Sequence, residues 1–268
     1  NHSDFEVLEI YNLAAQSHVK VSFEIPEYTA NVDGTGVMRL LEIVRSLPQQ
    51  IQQKIKFYQA GTSEMYGKVL AIPQDENTPF NPVSPYAAAK LYAYYMVKCY
   101  REGYNLFAVN GILFNHESPR RGENFLTMKV VKNVKEIADG DNLGWEKFIE
   151  LGNLDSKRDW GHAKDYVYGM WLMLQQKNPD DFVLATGETY TVREFVERAF
   201  AFKKYKIRWE GEGLHEIGVD QNGTIRVKIN PKYYRPCEVD LLLGNAKKAE
   251  KELGWKRKFY TLDKLIED

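Results

Sequence analysis

Short apolar runs alternate along the chain with longer stretches of helical spacing. Val7-Leu8-Glu9-Ile10-Tyr11-Asn12-Leu13 reads as a short buried strand. It runs into Ala14-Ala15-Gln16-Ser17, small and polar residues that let a ligand approach the backbone. Residues 34–47 carry Val37, Leu40, Leu41, Ile43 and Val44 at the spacing of one helix face. A β-prone run follows at 55–60, ending against the polar cluster Thr62-Ser63-Glu64. After the loop 73–83 comes a strong helix, with Ser84 as N-cap, Pro85 at the first position, three alanines within and Gly103 as terminator. Residues 106–114 form a nearly continuous apolar strand. This alternation predicts an α/β fold, a parallel sheet covered by helices.

Past residue 115 the alternation gives way to a polar, Arg-rich loop over 115–122, where a second, smaller domain is expected to start. The division is 1–115 and 116–268, with segments near 157–186 returning to the first domain. A helix is expected at 162–176 and a strand at 182–185 that rejoins the first sheet. Thr191 and Glu194 make a capping box for a helix to about residue 202. Segments 206–209 and 225–229 read as short strands, and 246–253 as a closing helix.

Composition narrows the function classes. Of 268 residues 44% are hydrophobic, enough for a buried core, and 36 basic side chains against 37 acidic ones leave a net charge of -1. No global field points to nucleic acid or an anionic membrane, so an anionic ligand must be met by local charge. Cys99 and Cys237 form neither a disulfide framework nor a metal cluster, which fits a reducing cytoplasm and no metal site. No apolar run approaches the roughly 20 residues that span a bilayer, and Asn1-His2-Ser3-Asp4 does not open a signal peptide. Without an initiator Met, Asn1 is not expected to be the natural start.

Tyr86 and Lys90 stand at i and i+4 near the start of the alanine-rich helix, a spacing at which an ammonium favours the ionised form of a phenol. Tyr94/Lys98, further down the same helix with no polar loop nearby, and Tyr260/Lys264, near the end of the chain, share that spacing and read as exposed helix surface. The pair at 86 and 90 is set apart by Thr62-Ser63-Glu64 at the preceding strand's end, because parallel strands gather their carboxyl ends with the following helix starts, where ligands bind.

The strings Asn12-Leu-Ala-Ala-Gln-Ser-His-Val19, Thr62-Ser-Glu-Met-Tyr-Gly67 and Ser84-Pro-Tyr-Ala-Ala-Ala-Lys90, the segments 107–122, 151–155 and 157–167, and Tyr233-Tyr-Arg-Pro236 resemble the GDP-mannose 4,6-dehydratases. These are extended short-chain dehydrogenase/reductases acting on nucleotide sugars, and the likeness covers nearly the whole chain. It implies a Rossmann-type doubly wound parallel sheet with a smaller α/β substrate-binding domain, NADP as cofactor, GDP-mannose as substrate, and a homodimer or homotetramer. The reaction it implies is C4 oxidation, loss of water between C5 and C6, and hydride return to C6, feeding GDP-fucose and related deoxysugar synthesis. Tyr86 would take the C4 hydroxyl proton, Lys90 would lower its pKa and hold the nicotinamide ribose, and Thr62 would hydrogen-bond the same hydroxyl. Glu64 would serve as base for the C5 proton and then acid for the leaving C6 hydroxyl; otherwise it is a solvated loop acid. Leu13, Ala14, Ala15, Gln16, Ser17, Tyr28, His116 and Arg121 would contact the cofactor. Asn115, Lys129, Arg158, Arg235 and Glu238 would contact the nucleotide sugar, with guanidinium forks suited to a diphosphate. Arg120 and Arg121 read otherwise as a solvated or subunit-facing loop, and Tyr233-Tyr234-Arg235 as structural packing.

The chain departs from this family in one respect. No strand runs into the glycine-rich turn that holds a dinucleotide pyrophosphate, since Gly34-Thr-Gly36 and Gly211-Glu-Gly213 lack a third glycine and do not follow a strand. By comparison with the family, Val7–Leu13 resembles the fourth strand of the sheet, the preceding elements are expected upstream of Asn1, and Asp268 falls inside a final helix. The alternatives are an epimerase or reductase of the same fold, for which Glu64 has no assigned task, and a noncatalytic nucleotide-binding protein.

Overall fold

The run Ile55-Lys-Phe-Tyr-Gln-Ala60 has no glycine or proline and alternates side chains between two apolar layers, so it forms a strand with neighbours on both edges. The computed structural model describes residues 5–141, 147–258 and 261–268. The first half comprises β1 (Leu8–Asn12), α1 (Val19–Glu24), α2 (Pro26–Ala30), a π-helical turn (Asn31–Thr35), α3 (Gly36–Ser46), α4 (Gln49–Gln52), β2 (Ile55–Ala60), a 3-10 turn (Ser63–Tyr66), α5 (Pro85–Tyr104) and β3 (Phe107–Leu113). Then come β4 (Asn115–Glu117), α6 (Leu126–Asp141), β5 (Ile149–Leu151), β6 (Lys157–Arg158), β7 (Trp160–His162), α7 (Ala163–Leu174) and β8 (Asp181–Leu184). β9 (Tyr190–Thr191), α8 (Val192–Phe202), β10 (Arg208–Glu210), β11 (Ile217–Val219), β12 (Ile225–Ile229), α9 (Lys247–Leu253) and α10 (Leu262–Glu267) complete the described chain.

The first sheet has the order β1-β2-β3-β8, every pair parallel, with Tyr11 opposite Tyr58, Tyr58 opposite Val109 and Leu113 opposite Leu184. Ile55, Phe57 and Ala108 pack with Val37, Leu41 and Val44 of α3 and Ala93 and Val97 of α5. Tyr58 and Val109 belong to another layer, with Met170 and Met173 of α7 and Ala249 and Leu253 of α9. Each fully buried Phe or Val contributes about 1.5–3 kcal/mol, so Phe57→Ala would cost roughly 3–5 kcal/mol once its cavity is counted. Because the strands are parallel, the segments after Asn12, Ala60 and Leu113 emerge at one edge of the sheet.

A second sheet, β10-β11-β12-β5, is antiparallel except for the parallel pair β12 and β5. Its Ile149, Leu151 and Val227 meet Val130 and Val134 of α6 and Phe195 and Val196 of α8. The capping box forms: Thr191 and Glu194 bond each other's backbone N–H at the start of α8.

Several sequence expectations are corrected. β1 is not a buried strand: it lies at the sheet's edge, so Leu8 is exposed and only Asn12 is buried, its Nδ2 donating to Gln59 Oε1 at 2.7 Å. On α3 only Val37, Leu41 and Val44 face the sheet, while Leu40 and Ile43 lie exposed. Helix α5 passes Gly103 and ends at Asn105, which takes the left-handed cap conformation at φ 55°. β5 and β11, three residues each, are too short to show a period in the sequence.

Candidate active site

The edge where β1, β2 and β3 end opens into a cavity of about 770 Å³. At the end of β2, Thr62 has extended backbone and caps the 3-10 turn, its Oγ1 accepting from the Glu64 N–H at 3.2 Å. The same hydroxyl neighbours the phenol of Tyr86 and favours its ionised form. Tyr86 and Lys90 are placed by the start of α5, where Ser84 Oγ accepts from the Ala87 N–H at 3.1 Å. Lys90 Nζ donates to the Ala60 carbonyl at 3.0 Å and lies 6.0 Å from the centroid of the Tyr86 ring. Thr62, Glu64, Tyr86 and Lys90 are all buried and all line the cavity.

Burial dominates the electrostatics of this pair. Burial pushes the Tyr86 phenol above its ordinary range, the Thr62 hydrogen bond and the Arg121 charge draw it back, and Asp33 and Glu64 push it further up. Lys90 is itself lowered by burial, with Asp33 opposing.

Glu64 is not a solvated acid. It is 8% exposed, and its Oε1 accepts from Arg235 Nη1 at 3.2 Å. Arg235 lies in the segment after β12, where Glu238 Oε1 accepts from its backbone N–H at 2.9 Å. Arg158 on β6 is buried and donates to the Lys157 carbonyl; burial lowers its pKa while Glu64 and Glu238 oppose. Lys129 on α6 reaches the Glu150 carbonyl and stands 3.4 Å over the Tyr233 ring. With Asn115 at the start of β4, these groups line the same cavity, and the guanidinium forks among them are of a kind suited to a diphosphate.

His116 also lines it. Its ring stacks on Tyr166 at 4.7 Å and 14°, and burial lowers its pKa to about 4, so it is neutral at working pH. Its Nδ1 lies 2.8 Å from the Phe114 carbonyl, which can only accept, so Nδ1 carries the proton and Nε2 is the acceptor. Arg121 is anchored by Glu117 Oε2 at 3.2 Å and by the Phe125 ring 3.8 Å below its guanidinium.

Of the residues expected at the cofactor, Leu13, Ala15 and Ser17 line the cavity, whereas Ala14, Gln16 and Tyr28 do not. The Gln16 N–H is turned to Asp33 Oδ1 at 2.7 Å and its amide to Thr29 and the His18 carbonyl. Tyr28 is exposed on α2, whose inward residue is Thr29. Tyr94, expected on helix surface, is instead buried against Phe80, while Tyr260 lies outside the described residues. The sequence reading missed His18, which caps α1 and lines the cavity, and the wholly buried Asp33. Asp33 could have been found, because 33, 37, 41 and 44 continue the buried stripe of α3 backward onto an acid.

These residues fit the nicotinamide half of a dinucleotide. A buried ammonium and a phenol share a wall with the small Ala15 and Ser17 and the acceptor nitrogen of His116, as ribose hydroxyls and a carboxamide require. Among the described residues no strand of the first sheet ends in a glycine-rich turn, so the fit covers that half alone.

Comparison with known proteins gives the same picture. The sequence pattern of the family described as GDP-mannose 4,6 dehydratase matches residues 3–268. The chain is 56% identical to GDP-mannose 4,6 dehydratase 2 of Caenorhabditis elegans, over 99% of this chain and 68% of that protein. It is 57% identical to GDP-mannose 4,6 dehydratase of Drosophila melanogaster, over 97% of this chain and 64% of that protein. It thus spans about two thirds of the length of these relatives. In fold it resembles DesIV, a dTDP-glucose 4,6-dehydratase from Streptomyces venezuelae solved with NAD and TYD, at TM-score 0.76 and 20% identity, covering 97% of this chain and 72% of that one.

Proposed function

The chain belongs to the GDP-mannose 4,6-dehydratase family, and from that premise we propose that the protein converts GDP-mannose to GDP-4-keto-6-deoxymannose with NADP as its nicotinamide cofactor. The observation that carries this reading is Glu64, a carboxylate buried in the same cavity as Thr62, Tyr86 and Lys90 and held by Arg235. A plain alcohol oxidation uses the phenol and the ammonium and leaves such an acid without a task. When bound, the nicotinamide supplies the hydride acceptor for sugar C4 and gives the hydride back at C6. Tyr86 takes the C4 hydroxyl proton, and Thr62, which favours the ionised phenol beside it, positions that hydroxyl. Glu64 then removes the proton at C5 and passes it to the departing C6 hydroxyl, so that water leaves and a C5–C6 double bond conjugated with the C4 ketone remains. When the hydride has been returned to C6, the proton that Tyr86 took from the C4 hydroxyl is released and a proton is delivered to C5, so the 4-keto-6-deoxy product and one water balance the substrate and both Tyr86 and Glu64 end as they began. Lys129, Arg158 and Arg235 hold the diphosphate, with Asn115 and Glu238 beside them. His116 and Arg121, together with Leu13, Ala15 and Ser17, line the cofactor side.

Incubation with GDP-mannose tests this: a 4-keto-6-deoxy product with no net change in reduced cofactor is expected. Sustained NADPH consumption, or epimerisation of another nucleotide sugar in its place, would overturn it. The preference for NADP, a homodimer or homotetramer, and the division into a cofactor-binding part over 1–115 and a mainly sugar-binding part over 116–268 are part of the same proposal and rest on the family likeness. Sedimentation and cofactor-binding assays measure the first two. No described helix is long and apolar enough to cross a membrane; a cytoplasmic site is proposed from the unpaired Cys99 and Cys237.

A further inference from the structure

Asp33 lies on the π-helical turn between α2 and α3, with none of its surface exposed. Its Oδ1 accepts from the Gln16 N–H at 2.7 Å, and its Oδ2 has no hydrogen-bond partner among the described residues. A buried carboxylate oxygen left without a donor is costly, and it persists where a nearby positive charge compensates. The turn presses on α5 at the residue before Lys90: a Cβ added to Gly34 would sit 3.4 Å from the Ala89 carbonyl oxygen and 3.2 Å from the Tyr92 ring. Lys90, 3% exposed, makes its hydrogen bond to the Ala60 carbonyl and has Asp33 as its charge partner. Two opposite ionisable groups therefore share a buried layer beneath the reaction cavity, one on the turn and one on the helix.

We propose that Asp33 is a positioning residue for the dehydratase reaction, its carboxylate serving as the buried counter-ion that keeps the Lys90 ammonium charged and in place beside Tyr86. The inference rests on the reaction proposed above. Burial drives Lys90 toward the neutral amine and Asp33 toward the neutral acid, and each charge opposes the other's neutralisation. The groups facing Lys90 are Asp33 from the turn, Tyr86 from its own helix and the Ala60 carbonyl from β2; those facing Asp33 are Lys90 and the Gln16 N–H. The Asp33 charge also raises the Tyr86 phenol.

A pH signature follows that a merely structural role would not produce. Without the Asp33 charge, the ammonium loses its proton at lower pH and the phenol ionises at lower pH. Both limbs of the pH–rate profile for GDP-mannose dehydration therefore move in the acid direction. In Asp33→Asn each limb is expected to move by about one pH unit, with Asp33→Glu restoring the wild-type profile. A profile reduced in height with its limbs unmoved overturns the proposal. Lys90 can be followed without turnover by NMR titration of lysine labelled at Cε, its signal assigned by loss in Lys90→Met. Its midpoint is expected to fall in Asp33→Asn, and an unchanged midpoint contradicts the counter-ion role even if the protein has no activity on GDP-mannose. Lys90→Met provides a test that does not need Asp33→Asn to fold: relative to the wild type, one additional protonated-carboxyl infrared band should appear near neutral pH, and it should shift in position when Asp33→Glu is combined with Lys90→Met. Its absence also overturns the proposal.

Discussion

Replacing Glu64 by Gln separates the two halves of the proposed chemistry. The side chain is nearly isosteric, and its amide oxygen can still accept from Arg235 Nη1, so the 3.2 Å contact keeps a hydrogen bond while losing its ionic part. Arg235 is about a quarter exposed at its side chain and Glu64 about a tenth, so the pair lies between a surface bridge worth less than about 1 kcal/mol and a buried one worth several. A stability loss of about 1 kcal/mol is expected, small against the roughly 5–15 kcal/mol that holds a domain folded. The chemical loss is far larger. An amide can neither take the C5 proton nor deliver it to the C6 oxygen, and a general acid–base group contributes about 10²–10⁴-fold. That corresponds to roughly 3–5 kcal/mol of barrier, against the small change in folding. The hydride step needs only Thr62, Tyr86 and Lys90, so reduced nicotinamide should accumulate in a single turnover while product formation slows. Stopped-flow absorbance of the reduced cofactor, read beside product analysis, measures both. Undiminished product formation, or loss of the hydride step along with the elimination, would refute the division of labour.

Other outcomes follow from the same geometry. Tyr86→Phe removes the phenolic proton acceptor and should lower kcat by at least about 10²-fold with little change in GDP-mannose affinity, measured by steady-state kinetics and equilibrium binding. Arg235→Ala removes the clamp on Glu64 and the diphosphate contact proposed for it, so KM should rise and kcat should fall, whereas a pure binding residue would change KM alone. Ser84→Ala deletes the cap that starts α5 and should cost about 1 kcal/mol in denaturant unfolding. Asp159 is fully buried, and burial raises its pKa to about 6 against its Thr186, Gly187 and Gly244 donors. Between its ordinary value near 4 and about 6 the folded state binds the extra proton, so the Asp159 contribution is present in full below that window and lost as pH rises through it. The stability difference between wild type and Asp159→Asn should therefore fall with rising pH by about 1 kcal/mol per pH unit there, and a flat difference contradicts the assignment.

The local signals in this chain were complete enough to define several elements from either end. Residues 55–60 form a strand with the bounds their pattern implied, Ser84 and Pro85 start α5, and Thr191 with Glu194 starts α8, because caps and strand periods act over a few neighbouring residues. Thr62, Glu64, Tyr86 and Lys90 were legible for a related reason: the order of strand, turn and helix in a parallel sheet already implies which segments share an edge. Where contacts are distant in sequence, the signal weakened. Leu40 and Ile43 carry the same apolar chemistry as Leu41, and only the crossing of α3 over the sheet decides which are buried.

The sequence by itself determined the alternation of strands and helices, the helix caps, and which polar and charged residues stand at the strand ends and helix starts. Tertiary structure alone decided which of them meet. It joined Glu64 to Arg235 across 171 positions, turned Gln16 toward Asp33 and left Tyr28 in solvent. It also set the charges, placing Tyr86 and Lys90 in a layer where burial pushes the phenol up and the ammonium down and where Asp33 supplies the balancing carboxylate. The physical reason is that caps and periodicity depend on neighbours within a turn or two, whereas burial and electrostatic coupling depend on every segment that packs around a group.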